Sequence, residues 1–134
     1  MAEENTSKLK KLLGYAVKNG ASDLHLTVGT APAVRIDGEI RFLPADPLSL
    51  ADMDAFLNEM MSREQRVIYE ERGDFDLAHG VPGLGRFRVN IMRQRGSIGI
   101  VMRHVKGKIL DFEALHLPAV LGRIADMPRG LVLI

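Results

Sequence analysis

Cysteine is absent, which excludes disulfides, thiolate metal sites and a cysteine nucleophile. Tryptophan is absent too, and aromatics make up only 5% of the chain. Leu, Ile, Val and Met must therefore fill the core, and the seven methionines read as adaptable filler rather than as a recognition surface. No stretch approaches the roughly 20 apolar residues of a membrane span. Residues 1–11 are polar and lack the apolar segment of a signal peptide, so a cytoplasmic protein without direct membrane insertion is expected. The familiar catalytic signatures are missing as well: no HExxH, paired CxxC, GxSxG or Walker A pattern GxxxxGK[ST] occurs. Gly80, Gly83 and Gly85 do not match a dinucleotide fingerprint and suit a turn. His25, His79, His104 and His116 show no metal-ligand spacing, so no metal site is expected.

What is present is enough for one core: 134 residues, 46% of them hydrophobic. The net charge of +1 conceals a segregation. Residues 46–76 carry nine acids against three arginines, whereas residues 77–110 carry five arginines, two lysines and no acid. Either the two segments lie side by side and neutralise each other, or the basic one faces an anion.

The hydrophobic pattern gives the order of elements. Leu9, Leu12, Leu13, Ala16 and Val17 have the spacing of an amphipathic helix, with Thr6 or Ser7 to cap it and Asn19-Gly20 to end it. The period then changes to two. Leu24, Leu26 and Val28 alternate with Asp23, His25 and Thr27, which predicts a half-buried strand with His25 as a hydrogen-bonding residue on its polar face. Val34 and Ile36, the Asp37-Gly38 turn, and Ile40 and Phe42 predict a hairpin. Ser49 with Asp52 three residues later opens one helix, Ser62 with Gln65 opens the next as a capping box, and Gly73 closes the second. Phe75 and Leu77, then Phe87, Val89 and Ile91, then Ile98, Ile100 and Met102 complete five or six strands. An α+β domain on an antiparallel sheet is expected. Beyond a connector at residues 106–111, Pro118 suits the first turn of a helix reaching about Asp126. The closing run Leu131-Val-Leu-Ile134 looks like a strand buried on both faces: either a terminal strand of this sheet or, the reading its parallel-sheet character favours, the start of a second domain.

One pair stands out. Keeping Phe87, Val89 and Ile91 on the same face as Ile100 and Met102 puts Arg88 and Arg103 together on the opposite face. A turn at Arg95-Gly96 sets them directly opposite, and one at Gly96-Ser97 sets them diagonally. Opposed like charges destabilise a sheet by a few tenths to about 1 kcal/mol, so acids from residues 46–76, solvation or a bound anion must offset them. Guanidinium groups pair bidentately with phosphate, which makes phosphate a chemically reasonable guest.

The runs Gly20-Ala-Ser-Asp-Leu-His-Leu26, Val34-Arg-Ile-Asp-Gly38, Arg86-Phe-Arg-Val-Asn90 and Met127-Pro-Arg-Gly-Leu-Val-Leu-Ile134 together resemble the type IV pilus retraction ATPases, the PilT-like branch of the secretion ATPase family. The resemblance spans essentially the whole chain, with the motifs in the same order. It implies a PAS-like N-terminal domain over residues 1–105, a linker at 106–111, and the first helix and strand of a RecA-like ATPase domain at 112–134, cut just before Walker A. The P-loop, the Walker B acid and the family's Asp and His boxes would then lie past residue 134, leaving no catalytic residue here. ATP and Mg2+ would serve the intact protein, with neither held tightly by this part. The further implications are a homo-hexamer, the pilus inner-membrane platform as partner, and a place at the cytoplasmic side of the inner membrane, at the pilus base. Arg88 and Arg103 match the two arginines that close on the nucleotide phosphates in that family. Arg86 faces the same side and reads first as an interface or solvated residue.

Three other readings compete. A pilus assembly or type II secretion motor belongs to the same family, but usually carries extra sequence before the first helix. A stand-alone PAS-like sensor predicts an apolar pocket inside the sheet. Nucleic-acid binding needs aromatic groups among the basic residues, and only Phe87 is there, on the presumed core face.

Overall fold

The computed structural model describes residues 6–134. Helix α1 (Lys8–Lys18) begins at Ser7, whose side chain accepts from the Lys10 N–H, and ends at Asn19 before Gly20 in the left-handed region. Strand β1 (Asp23–Thr27) follows, then the hairpin of β2 (Ala33–Ile36) and β3 (Glu39–Phe42). At its tip Asp37 and Gly38 both have positive φ, the twist-compatible two-residue turn that Asp-Gly favours. Helices α2 (Leu50–Met60) and α3 (Arg63–Arg72) each start on a complete capping box, Ser49 with Asp52 and Ser62 with Gln65. Gly73, with φ of 81°, closes α3 and releases the chain into β4 (Asp74–Val81). Strands β5 (Gly85–Gln94) and β6 (Ser97–Val105) complete the sheet, and α4 (Val120–Ala125) lies beyond it.

The six strands form one antiparallel sheet in the order β3-β2-β1-β6-β5-β4. Two three-stranded meanders thus join along β1 and β6, and α2 and α3 carry the chain from one outer edge to the other. The core is a single cluster that joins Leu9, Leu13, Met53, Phe56, Leu57 and Tyr69 of the helices to one sheet face, Leu24, Leu26, Val34, Val89, Ile91, Ile100 and Met102. The strict alternation along β5 and β6 follows from this arrangement, since only one face is covered. Among the described residues no helix covers the opposite face, and it holds the candidate site.

Residues 131–134 form no strand, and all four are exposed. A strand is defined by ladder hydrogen bonds to a neighbour, and no described strand pairs with this run. The β-like composition of the run is therefore unused in this chain, on the first sheet or elsewhere. Helix α4 lies within the predicted span but is shorter, and has no side-chain cap.

Candidate functional site

The uncovered face is organised in rows, because antiparallel register places Cα partners side by side. One row runs Arg35–Asp23–Arg103–Arg88 across β2, β1, β6 and β5. The two-residue turn forms at Arg95-Gly96, both with positive φ, so Arg88 lies directly opposite Arg103 rather than diagonal to it. Arg86, paired with Val105, lies on the same face one step nearer the strand ends. Arg88, Arg86 and Arg103 are all exposed, and neither Arg86 nor Arg88 forms an ion pair with a described residue.

Among the described residues no acid of residues 46–76 forms an ion pair with Arg86, Arg88 or Arg103, although Asp76 stands near Arg88 on the same face. Asp52 pairs with Lys8 of α1, Asp54 and Glu70 pair with Arg66 within their own segment, and Asp76 accepts from the Asn90 amide. The counter-charge comes instead from Asp23, which is only 4% exposed. Its Oδ1 accepts from Arg103 Nε at 3.0 Å. Its Oδ2 accepts from Ser22 Oγ at 2.8 Å and lies 3.5 Å from Arg35 Nε. Burial tends to raise this carboxyl, but the hydrogen bonds from Ser22 and Arg103 and the Arg103 charge outweigh it and hold it below the usual carboxylate range. Asp23 is thus a buried anion set between two cations.

The next row places His25 beside Ala33 and Val101. Its Nε2 is buried without a hydrogen-bond partner among the described residues. Burial, helped by the Arg35 charge, lowers its pKa below the usual imidazole value, which Asp23 partly counteracts. The predicted hydrogen-bonding role of His25 is therefore not seen at Nε2. A shallow cleft between the rows is lined by Asp23, Asp76, Arg88, Asn90, Val101 and Arg103. No helix among the described residues is long and apolar enough to cross a membrane.

Sequence reasoning reached Arg88 and Arg103 because their pairing lies within one hairpin. It missed Asp23 and Arg35 as parts of the same row, and Ser22 as the hydroxyl that donates to Asp23. Asp23 meets Arg103 across 80 residues of chain, through the pairing of β1 with β6, and no local pattern reports that pairing. The available signal was an acid on the polar side of the first strand, inside the run Gly20-Ala-Ser-Asp-Leu-His-Leu26.

The described residues thus form an antiparallel α+β domain with helices on one face of the sheet and a row of arginines on the other. No protein-family profile matches the chain. PilT of Pseudomonas aeruginosa, a type IV pilus retraction ATPase, is 40% identical over 126 residues, which are 94% of this chain and 37% of PilT. The type IV pilus ATPase PilU of the same organism is 33% identical over 126 residues, again 94% of this chain and 33% of PilU. Among solved structures, the pilus retraction motor PilT with bound ADP superposes with a TM-score of 0.75 at 40% identity, over 87% of this chain and 34% of that one. The chain is thus similar to part of the PilT-like proteins, and it spans about a third of the length of the curated relatives it matches.

Proposed function

We propose that this chain is the N-terminal, nucleotide-clamping domain of a hexameric ATPase that drives type IV pilus retraction from the cytoplasmic side of the inner membrane. In this reading residues 1–105, of which 1–5 lie outside the described residues, form the PAS-like clamp, residues 106–111 the linker and residues 112–134 the first part of the motor domain, whose remainder binds ATP and Mg2+. The pilus inner-membrane platform would receive the motion. The PilT-like ancestry supports the retraction assignment, and the twitching motility protein of Neisseria gonorrhoeae, 29% identical over 103 residues, is a further relative.

The observation that carries the clamp is the cross-strand pair itself. Arg88 and Arg103 stand opposite each other, exposed, on a face that no helix covers, and only Arg103 has a carboxylate partner among the described residues. The donor set fits a polyphosphate. Asp23 engages Arg103 through Nε alone, so the terminal nitrogens of Arg103 and the whole guanidinium of Arg88 have donors to offer. A site between these groups favours multiply charged anions, and the attraction weakens when the negative charge is reduced or released. Closure of this domain on the motor domain would then follow from its stronger interaction with one nucleotide state than with another. Asp23 leaves the row with net positive charge, so it orients the cations without cancelling them.

In the full-length protein, Arg88→Ala is expected to lower steady-state ATPase turnover by roughly 10- to 100-fold, the scale of one lost charge-assisted hydrogen bond. The substitution removes an exposed side chain, so thermal unfolding is expected to stay within about 0.5 kcal/mol of wild type. Near-normal turnover by a folded Arg88→Ala protein would sink the clamp.

A further inference from the structure

Asp23 occupies a position that ordinary stability does not explain. It is the one charged residue in the buried set of the described chain, yet it belongs to the sheet face that no helix covers. Removing a carboxylate from water is costly, and a well-packed apolar residue often serves stability as well or better. Both its oxygens are nevertheless engaged, by Arg103 and by Ser22, with Arg35 close to the second. The contact with Arg103 has a particular form. A fork-to-fork pair would engage a terminal nitrogen of the guanidinium as well, whereas here Nε is the donor. The Arg103 side chain remains 68% exposed although it is tethered. Arg35, on the other side, donates Nη1 to the Gly38 carbonyl at 3.1 Å and is thereby turned toward its own hairpin.

We infer that Asp23 is a positioning residue: it grips Arg103 by the Nε edge, holds that long side chain in one orientation, and leaves its terminal nitrogens presented to phosphate oxygens. The inference rests on the clamp reading and deepens it, because it makes the two arginines unequal. Arg103 is set in place before any anion arrives, with its rotamer freedom already lost. Arg88, without a carboxylate partner among the described residues, orders only on closure. Ser22 acts one step further out, since its hydroxyl fixes the carboxylate that fixes Arg103.

The test is a double-mutant cycle on ATP hydrolysis by the full-length protein, with a spectroscopic check on the 134-residue chain. Asp23→Asn keeps the size and one acceptor oxygen but removes the charge. It is expected to lower turnover several-fold in the wild-type and Arg88→Ala backgrounds, and to add nothing in an Arg103→Ala background. Ser22→Ala is expected to produce a smaller loss in the same direction. In the 134-residue chain the Arg103 Nε–H should give a slowly exchanging 1H–15N signal that Asp23→Asn abolishes, an effect that general destabilisation does not produce. Normal turnover by Arg103→Ala would overturn the clamp, and this inference with it. If Arg103→Ala impairs turnover while Asp23→Asn does not, or if the two losses multiply, the positioning role is overturned and the clamp stands. A fast-exchanging wild-type Nε–H signal would likewise overturn the positioning role.

Discussion

Two carboxylates in this domain are held ionised by different means. Asp23 is buried and paired with arginine, whereas Asp52 sits at the start of α2, where the Ser49 backbone N–H and the Lys8 ammonium bring its pKa down to about 2. In both, the folded-state value lies below the unfolded one, so each contributes stability that is present above the ordinary carboxylate range and lost as the pH falls through the lowered value. The thermal midpoint is therefore expected to decline between about pH 4 and pH 2. Asp52→Asn should make that decline shallower and lower the midpoint at pH 7. An Asp52→Asn protein with the wild-type pH profile would show that the capping carboxylate contributes nothing to acid sensitivity. At this scale sequence reading reached the arginines but not their anion. Arg88 and Arg103 lie 15 residues apart across a single turn, while Asp23 is brought to Arg103 only by the completed sheet.

Elements whose signals are local were legible. The Ser49 helix start, the Ser62–Gln65 capping box, the Gly73 stop and the Asp37-Gly38 turn depend on groups within three or four residues of one another, and all formed as expected. The reciprocal Asp52–Ser49 bond completes a second capping box that was not expected. Local sequence admits two registers for the β5–β6 turn, at Arg95-Gly96 or Gly96-Ser97, and the one that forms holds Arg95 at φ of 51°. The flanking apolar alternation and Gly96 impose the turn, and Arg95 bears the strain. Arg95→Asn is therefore expected to stabilise the domain by up to about 1 kcal/mol, since Asn-Gly is preferred in this turn. Chemical denaturation would measure the gain as a higher midpoint at an unchanged slope. An unchanged or lower midpoint would mean that Arg95 gains from a contact that offsets its backbone strain. The run at residues 131–134 illustrates the reverse case. Its composition suits a strand, but strand formation depends on a neighbour, and composition carries no information about whether one is present.

Across the whole molecule, the number of strands and the inserted helix pair could be read from periodicity, but the joining of β1 to β6 could not. Each meander is a chain of short connections, whereas the central seam pairs segments at opposite ends of the sheet's sequence. That seam closes the core, and the core closes early: every residue of the buried cluster lies between Leu9 and Met102. Beyond Val105, which still pairs with Arg86, no residue is buried, and Ile109, Phe112, Leu115 and Val120 are among the exposed apolar side chains. The sheet domain should therefore fold without residues 106–134. A chain ending at residue 105 is expected to unfold cooperatively, with a thermal midpoint within a few degrees of the 134-residue chain, because deleting exposed residues shifts stability by about 0.5 kcal/mol or less. Its Arg103 Nε–H signal should also persist, since Asp23, Ser22 and Arg103 all precede the cut. A non-cooperative transition, or a loss of several kcal/mol, would mean that residues 106–134 complete the sheet domain. The proposed boundary at residue 105 would then be wrong, and the exposed apolar side chains of the C-terminal segment would have to be assigned to this domain rather than to the motor.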